Sequence, residues 1–378
     1  MIMIQRTLQQ TIQKTLGENK AIILLGARQT GKSTLINAMF KEVKDDVLFL
    51  NGDEIDVQAL FENITSTKLK QIIGNKKYLI IDEAQRIKDI GLRLKLVTDN
   101  LKDVHLIATG SSSFELANKV NEPLTGRKKE FKLFPLSFKE LTEHTDLLTQ
   151  KRLLPQLLVY GSYPEVITNK DNKREVLSEL TSSYVYQDIL SFDRIRSSEK
   201  LVKLLRALAL QIGSQVSYTE LGQLCGLDCT TVSHYIDILE KAYIIFRLGT
   251  YSSNLRNELK FSRKIYFWDN GIRNAILGNY AALENRTDVG ELWENYLISE
   301  RLKKNSYAKS YANSYFWRTK EQKEIDYIEE KDGILTAWEF KWSETKALKA
   351  KCPLSFRNAY PETSFNVITQ SNIEDFLL

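Results

Sequence analysis

Residues 26–34 read GARQTGKST, so Gly26, Gly31, Lys32 and Ser33 fill the G-x-x-x-x-G-K-[ST] pattern of a phosphate-binding loop. The apolar run Ala21-Ile22-Ile23-Leu24-Leu25 precedes it and predicts a buried strand, while Thr34 to Phe40 predicts the start of a helix. That strand–loop–helix setting separates a nucleotide site from a chance match. The glycines let successive backbone N–H groups turn toward phosphates, and the helix N-terminus adds its partial positive charge. Gly26, Ala27, Arg28, Gln29, Thr30, Gly31, Lys32, Ser33 and Thr34 are therefore the expected nucleotide-binding residues. Lys32 would reach the β- and γ-phosphates and the Ser33 hydroxyl would meet Mg²⁺, so ATP and Mg²⁺ are the expected ligands.

A second apolar run, Tyr78-Leu79-Ile80-Ile81, ends in Asp82-Glu83. Asp82 would hold Mg²⁺ and Glu83 would orient and deprotonate an attacking water. A third run, Val104 to Ala108, ends in Thr109-Gly110-Ser111, where a hydroxyl can sense the γ-phosphate; Thr109 is the first choice and Ser111 the second. An extra strand, Val47 to Leu50, lies between the loop strand and the acidic strand. A glutamate after the strand aspartate and a polar strand tip resemble the AAA-type ATPase core. The tetrad Asp82-Glu83-Ala84-Gln85 invites a helicase reading, but no second recombinase-like lobe with an arginine-rich closing motif follows. Phosphoryl transfer also calls for a positive charge facing the γ-phosphate, often from a neighbouring subunit. Arg127 in Leu124-Thr125-Gly126-Arg127 is the expected donor and Arg93 the reserve. If Arg127 acts in trans, the chain must self-associate, most simply in a ring such as a hexamer.

Composition sets outer limits. A chain of 378 residues suggests two or three domains. Its 43% hydrophobic and 27% charged residues describe a globular protein. Apolar runs are strand-sized, so no membrane partner is expected. Met1 to Gln13 alternates apolar and polar positions without the basic-then-apolar layout of a secretion signal, so the cytoplasm is the expected location. Cys225, Cys229 and Cys352, with His105, His144 and His234 scattered, build neither a disulfide framework nor a structural zinc site. The formal charge of +5 permits a nucleic-acid partner without arguing for one.

All five tryptophans lie in the last third, which supports separate cores. The expected partition is an ATPase domain over 1–145, a helical connector over 146–200, a winged helix-turn-helix over 201–265 and a C-terminal domain over 266–378. The connector breaks at Gly161-Ser162-Tyr163-Pro164 and continues as a long helical stretch from Arg174 to Ile189. Leu201 to Ile212 and Tyr218 to Cys225 predict helices, and Asp228 is a good N-cap for a third, Thr230 to Ala242. The run Ile244-Ile245-Phe246 then opens a strand. This third helix would present Thr230, Thr231, Ser233, His234 and Tyr235 but carries no basic residue before Lys241. Arg194, Arg196, Lys200, Lys203, Arg206, Arg256, Lys260, Arg263 and Lys264 lie nearby in sequence. DNA contact and protein docking both remain open for this module.

In the last third, Glu324 to Ile328 predicts a strand, Lys331-Asp332-Gly333 a turn, and Ile334 to Trp342 a return strand. Period-two alternation puts Leu335, Ala337, Glu339 and Lys341 on one face. D…E-x-K on a hairpin is the signature of the PD-(D/E)XK nuclease fold. Asp326 and Glu339 would hold one or two Mg²⁺ ions, Lys341 would position water, and Glu294 in Glu291-Leu292-Trp293-Glu294 could add a third carboxylate. The order GARQTGKST, LIIDEAQ, ATGSS, LTGR, FPLSFKEL, YGSYPEV, YFWDNG, ELWENYL, YFWRTKEQKEIDYI…WEFKW resembles a large prokaryotic family of AAA-type ATPases, over nearly the full chain. In that family an ATPase core is joined to a winged helix and a nuclease-like fold. The resemblance implies an α/β multidomain protein with an AAA-type P-loop ATPase core, a winged helix-turn-helix and an α/β PD-(D/E)XK nuclease-like C-terminal domain. It implies ATP binding and hydrolysis at Lys32, Ser33, Asp82 and Glu83, and puts Glu294, Asp326, Glu339 and Lys341 on the nuclease-like positions. Two functional expectations follow. The first is an oligomeric ATPase coupled to a DNA-associated module. The second is a nucleotide-controlled switch or scaffold whose C-terminal domains dock proteins or subunits.

Overall fold

The computed structural model describes residues 3–111, 120, 123–169, 171–182, 198–252 and 263–378. They form two compact units, one from Met3–Phe134 with Lys241–Tyr243, the other from Pro135–Glu240 and Ile244–Leu378. Among the described residues no helix is long and apolar enough to cross a membrane.

The amino-terminal unit is a parallel five-stranded sheet flanked by helices. Its strands are β1 (Ala21–Leu25), β2 (Val47–Asn51), β3 (Tyr78–Asp82), β4 (His105–Gly110) and β5 (Lys128–Lys132), in the spatial order β2-β3-β4-β1-β5. Every side chain of β1 is buried, as expected for a central strand covered on both faces. The extra strand β2 stands at the sheet edge against β3. Helices α1 (Leu8–Thr15), α2 (Lys32–Met39), α3 (Ile55–Glu62), α4 (Ser66–Ile73) and α5 (Ile90–Asn100) belong to this unit. The alternating start of the chain is helical in α1, where Leu8, Ile12 and Thr15 are buried at spacings of four and three. Register pairs Leu25 with Gly110, Asn51 with Asp82, and Ile81 with Ala108. The carboxyl ends of β1, β3 and β4 therefore share one edge of the sheet, and the glycine loop leaves from it.

Arg6, just ahead of α1, ties this edge together. Its guanidinium is buried and donates to Thr30 O and to Phe134 O, both at 2.6 Å. No local pattern marks this arginine. Arg6→Ala leaves two buried carbonyls without their charged donor, so we expect a loss of about 2–4 kcal/mol of stability in this unit, read by urea denaturation. A midpoint equal to wild type would remove Arg6 from the framework of the loop.

The second unit opens with α6 (Phe138–His144), closed by a capping box in which Ser137 and Glu140 satisfy each other's backbone N–H. Helices α7 (Leu147–Tyr160), α8 (Pro164–Thr168) and α9 (Lys173–Glu179) follow. The break between α7 and α8 falls at residues 161–163, and α9 runs on as a wider turn to Ser182. The remainder of the helical stretch expected up to Ile189 lies outside the described residues. Next come α10 (Ser198–Leu210), β6 (Gln215–Val216), α11 (Tyr218–Cys225), α12 (Cys229–Lys241), β7 (Ile245–Thr250) and β8 (Arg263–Phe267). Asp228 caps α12 through Thr231 N at 2.9 Å, and Gly226 ends α11 at φ +67°.

The unit continues with α13 (Asn270–Leu277), α14 (Val289–Ala308), β9 (Asn313–Arg318), β10 (Glu324–Lys331), β11 (Ile334–Phe340), α15 (Glu344–Ala347), α16 (Leu354–Ala359), β12 (Ser364–Ile368) and α17 (Ile373–Leu377). One sheet, ordered β12-β11-β10-β9-β7-β8-β6, runs through all seven strands of the unit. The strands that follow the α11–α12 pair and the hairpin that carries Asp326 thus share a single framework. Pairing of β10 with β9 slips between Ile325 and Ile328, a bulge that sets Asp326 and Tyr327 against one partner residue. Bulges of this kind re-aim side chains, and Asp326 lies within this one.

Candidate functional site: a phosphate loop and a carboxylate pocket

The glycine loop is built by close approach. A Cβ on Gly26 would stand 2.1 Å from Leu133 O, so no larger residue fits where the loop leaves β1. Gly31 takes φ +93° and opens α2, whose first residue is Lys32. Gln29 also has positive φ, and Thr30 Oγ1 donates to Ala27 O at 2.8 Å, so the turn is held from within. Lys32 is buried and its ammonium donates to Gly26 O at 2.9 Å and Ala27 O at 3.0 Å. Ala27 to Thr34 wrap this turn.

Three segments distant in sequence meet beside it. Ser33 Oγ donates to Asp82 Oδ2 at 2.7 Å, and the Thr109 hydroxyl donates to Asp82 Oδ1. Glu83, at φ +46°, sends its N–H to Asp82 Oδ1 at 3.2 Å and Thr109 Oγ1 at 3.4 Å. Gln85 Nε2 donates to Glu83 Oε2 at 2.5 Å and to Ser111 Oγ at 3.1 Å. Ser33, Asp82, Glu83, Thr109 and Ser111 thus form one hydrogen-bonded set. Gln85, quoted only as part of its tetrad, is a missed member: it joins the Glu83 carboxylate to the tip of β4. The Ser33 hydroxyl and Asp82 carboxylate are hard oxygen donors already in contact, which suits a magnesium ion.

The two arginines stand elsewhere. Arg127 ends the turn before β5, its carbonyl accepts from Ala21 N, and its Nε donates to Asp99 at 2.7 Å. Since Ala21 opens β1 and the glycine loop follows Leu25, Arg127 is at the end of the sheet away from its own loop. Arg93 lies in the first turn of α5 and donates to Glu62 O at 2.7 Å.

The second unit holds a separate carboxylate pocket. Glu294 on α14 and Glu324 and Asp326 on β10 bring carboxylate oxygens within 4.8 Å of one another. Extending the β10–β11 register by one pair sets Asp326 opposite Glu339. Asp326 Oδ2 accepts from Phe340 N at 2.7 Å. Lys341 lies 2.5 Å from Glu339 Oε1 and 3.9 Å from Asp326 Oδ2. The four residues assigned from the sequence therefore do converge. Burial pushes the Asp326 carboxyl well above the usual range, with the charges of Glu294 and Glu339 adding to it. Burial pulls Lys341 down, but Asp326 and Glu339 outweigh it and hold the ammonium above its ordinary value.

Lys264, one of the basic residues near the helix pair in sequence, turns inward: its side chain is 1% exposed and lies 3.0 Å from Glu294 Oε1 and 2.5 Å from Glu324 Oε1. Tyr266 OH donates to the same Glu294 oxygen at 2.5 Å. β8 is buried from Lys264 to Phe267, so alternation along it carries no sign of which side chain faces outward. Arg194, Arg196, Arg256 and Lys260 lie outside the described residues.

Comparison with known proteins agrees with the amino-terminal geometry. Residues 18–142 match the family model described as an AAA domain. Residues 151–282 and 289–375 match two models described as domains of unknown function, DUF8612 and DUF4143. The chain is 27% identical over 308 residues to an uncharacterized protein of Haemophilus influenzae, covering 73% of this chain and 75% of the relative. It is 24% identical over 346 residues to an uncharacterized protein of Methanocaldococcus jannaschii, covering 85% and 75%. A solved Walker-type ATPase of Pyrococcus abyssi superposes with a TM-score of 0.52 at 17% identity, over 73% of this chain and 96% of that one. The amino-terminal unit has the fold of a P-loop ATPase, and the AAA match supports nucleotide binding by it.

Proposed function

We propose that the amino-terminal unit binds ATP with Mg²⁺ and hydrolyses it. The observation that carries this reading is the contact of Ser33 with Asp82, 49 residues apart in sequence, beside a buried Lys32 and a braced Glu83. Lys32 exchanges the Gly26 and Ala27 carbonyls for phosphate oxygens, a swap that needs only rotation of a flexible stem. Ser33 and Asp82 would hold a magnesium ion, which would supply positive charge against the β- and γ-phosphates. Glu83 accepts the proton of the attacking water, and Gln85 keeps that carboxylate from turning away. Thr109 acts first on Asp82, fixing the oxygen that Ser33 does not use. Arg127 serves a neighbouring subunit's nucleotide, because its place at the far end of the sheet leaves it no role at its own loop. Self-association in a ring follows from that assignment. Lys32→Ala is expected to abolish the heat of ATP binding in calorimetry while the fold persists by circular dichroism. Unchanged binding in that variant would end this reading.

The C-terminal unit is the output. The succession helix, strand, helix, helix, strand, strand over residues 198–267 supports a winged helix, and the converging carboxylates support a nuclease-like ancestry for the hairpin. DNA is one partner for such a pair. Docking of proteins or subunits is the other, and one observation favours it. The exposed amino-terminal end of α12, where a groove-reading helix meets phosphates, carries Asp228, whose carboxylate accepts from Thr231 N and Oγ1 and is held below its ordinary pKa by those bonds. Lys200, nearby in sequence, donates to Gly226 O at 2.6 Å. An anionic helix start repels a phosphate backbone. The full chain is expected to change assembly size with a slowly hydrolysed ATP analogue and to leave single-stranded, duplex and branched DNA unretarded at moderate salt. Retardation of any of these by the wild type, weakened by salt, would return the choice to DNA.

A further inference from the structure

The carboxylate pocket of the second unit carries an ammonium where its sequence signature calls for a metal. A divalent ion held by Glu294, Asp326 and Glu339 needs their oxygens as ligands, close to about 2.0–2.1 Å for magnesium. Each of those groups is already engaged by a proton donor of the chain itself. Glu294 Oε1 accepts from Lys264 at 3.0 Å and from Tyr266 at 2.5 Å. Asp326 Oδ2 accepts from Phe340 N, and Glu339 Oε1 from Lys341. Glu324, on the same side of the cluster, accepts from Lys264 at 2.5 Å and pairs with Arg318 at 3.1 Å.

Lys264 is the decisive member. Its ammonium enters the carboxylate cluster from β8, and its side chain is almost wholly buried, with the ring of Phe316 5.3 Å from the nitrogen. A buried ammonium is tolerated only when paired, and here it has two carboxylate partners. A second, doubly charged cation placed among the same oxygens would face this fixed, buried charge at short range. The ion that the D…E-x-K pattern implies does not fit while Lys264 stays.

We propose that Lys264 is a built-in counter-cation that replaces metal in the nuclease-like pocket, so that the C-terminal unit as folded refuses divalent cations and serves as a docking framework without metal-dependent cleavage. The proposal is independent of ATP hydrolysis. It deepens the docking reading of the C-terminal unit, yet it can fail alone, because DNA retention and metal uptake are separate readouts.

The test is Mn²⁺ binding by the full chain without nucleotide, followed by electron paramagnetic resonance and by thermal melting. Subtracting Asp326→Asn isolates this pocket from the Ser33–Asp82 pair. Wild type and Asp326→Asn are expected to bind Mn²⁺ alike, and Mn²⁺ leaves the melting of the second unit unchanged in both. Lys264→Met keeps the apolar stem and removes the charge. It is expected to gain a Mn²⁺ site at least about tenfold tighter than any in wild type, to melt higher when Mn²⁺ is added, and to lose both gains in Lys264→Met/Asp326→Asn. A wild-type Mn²⁺ site that Asp326→Asn removes overturns the proposal. So does a folded Lys264→Met that gains no site. If Lys264→Met does not fold, the comparison of wild type with Asp326→Asn decides by itself.

Discussion

Glu83→Gln is expected to lower ATP turnover by about 10²–10⁴-fold, the usual worth of a positioned general base, while ATP still binds as in wild type. The geometry makes this a clean substitution. The Glu83 backbone is fixed at φ +46°, with its N–H shared between Asp82 and Thr109. Its carboxylate accepts the Gln85 amide at 2.5 Å, and the side-chain oxygen of a glutamine can accept the same bond. Shape and hydrogen bonding are therefore kept and only basicity is lost. Lys32 bonds the Gly26 and Ala27 carbonyls and Ser33 bonds Asp82, and the substitution keeps these partners, so affinity is expected to stay as in wild type. Phosphate release under single turnover reads the first part, and equilibrium titration with a fluorescent nucleotide reads the second. Turnover equal to wild type would take the proton-transfer role away from Glu83. A parallel loss of affinity would mean that the variant had disturbed the loop instead.

The contrast between what sequence reveals and what it hides has a physical origin. The phosphate loop was legible because its constraints are local. Gly26 is demanded by the backbone approach to Leu133, Gly31 by its positive φ, and Lys32 by the turn it closes. Apolar runs before the loop and before Asp82 located β1 and β3, since central parallel strands are buried on both faces. The Asp228 cap of α12 was equally short-range. Arg6 and Lys264 were not legible. Arg6 serves carbonyls 24 and 128 residues away, and Lys264 finds its carboxylates 30 and 60 residues on. Beside Arg263 a second basic residue reads as solvated charge, and only the closed sheet turns it inward. Gln85 is intermediate: its neighbour Glu83 is local, but the Ser111 contact needs β3 and β4 side by side.

Gly271→Ala is expected to cost the second unit about 3 kcal/mol or more, at the upper end of overpacking, because backbone must move to admit it. A Cβ there would lie 2.1 Å from Tyr160 O and 2.9 Å from Asp269 Oδ1. Asp269 is the reason the segments are so close. Its buried carboxylate takes Ser162 N on Oδ2 at 2.7 Å and Ile272 N on Oδ1 at 3.1 Å. One side chain therefore caps α13 and pins the break that follows α7, 107 residues earlier in the chain. Gly161, at φ +71°, leaves the same gap from the other side, since a Cβ on it would fall 2.0 Å from Asp269 Oδ1. Asp269→Asn separates hydrogen bonding from packing. Asparagine keeps one acceptor oxygen and turns an N–H₂ toward the other donor, leaving a buried N–H unpaired at a cost of about 1–3 kcal/mol. The expected order of stability is wild type, Asp269→Asn, Gly271→Ala. It is measured on the denaturation step of the second unit, since a chain of two units need not unfold in one transition. A Gly271→Ala protein that unfolds with the wild-type midpoint would show that the Tyr160–Asp269 junction gives way easily, and the claim of a rigid joint between α7 and α13 would fall with it.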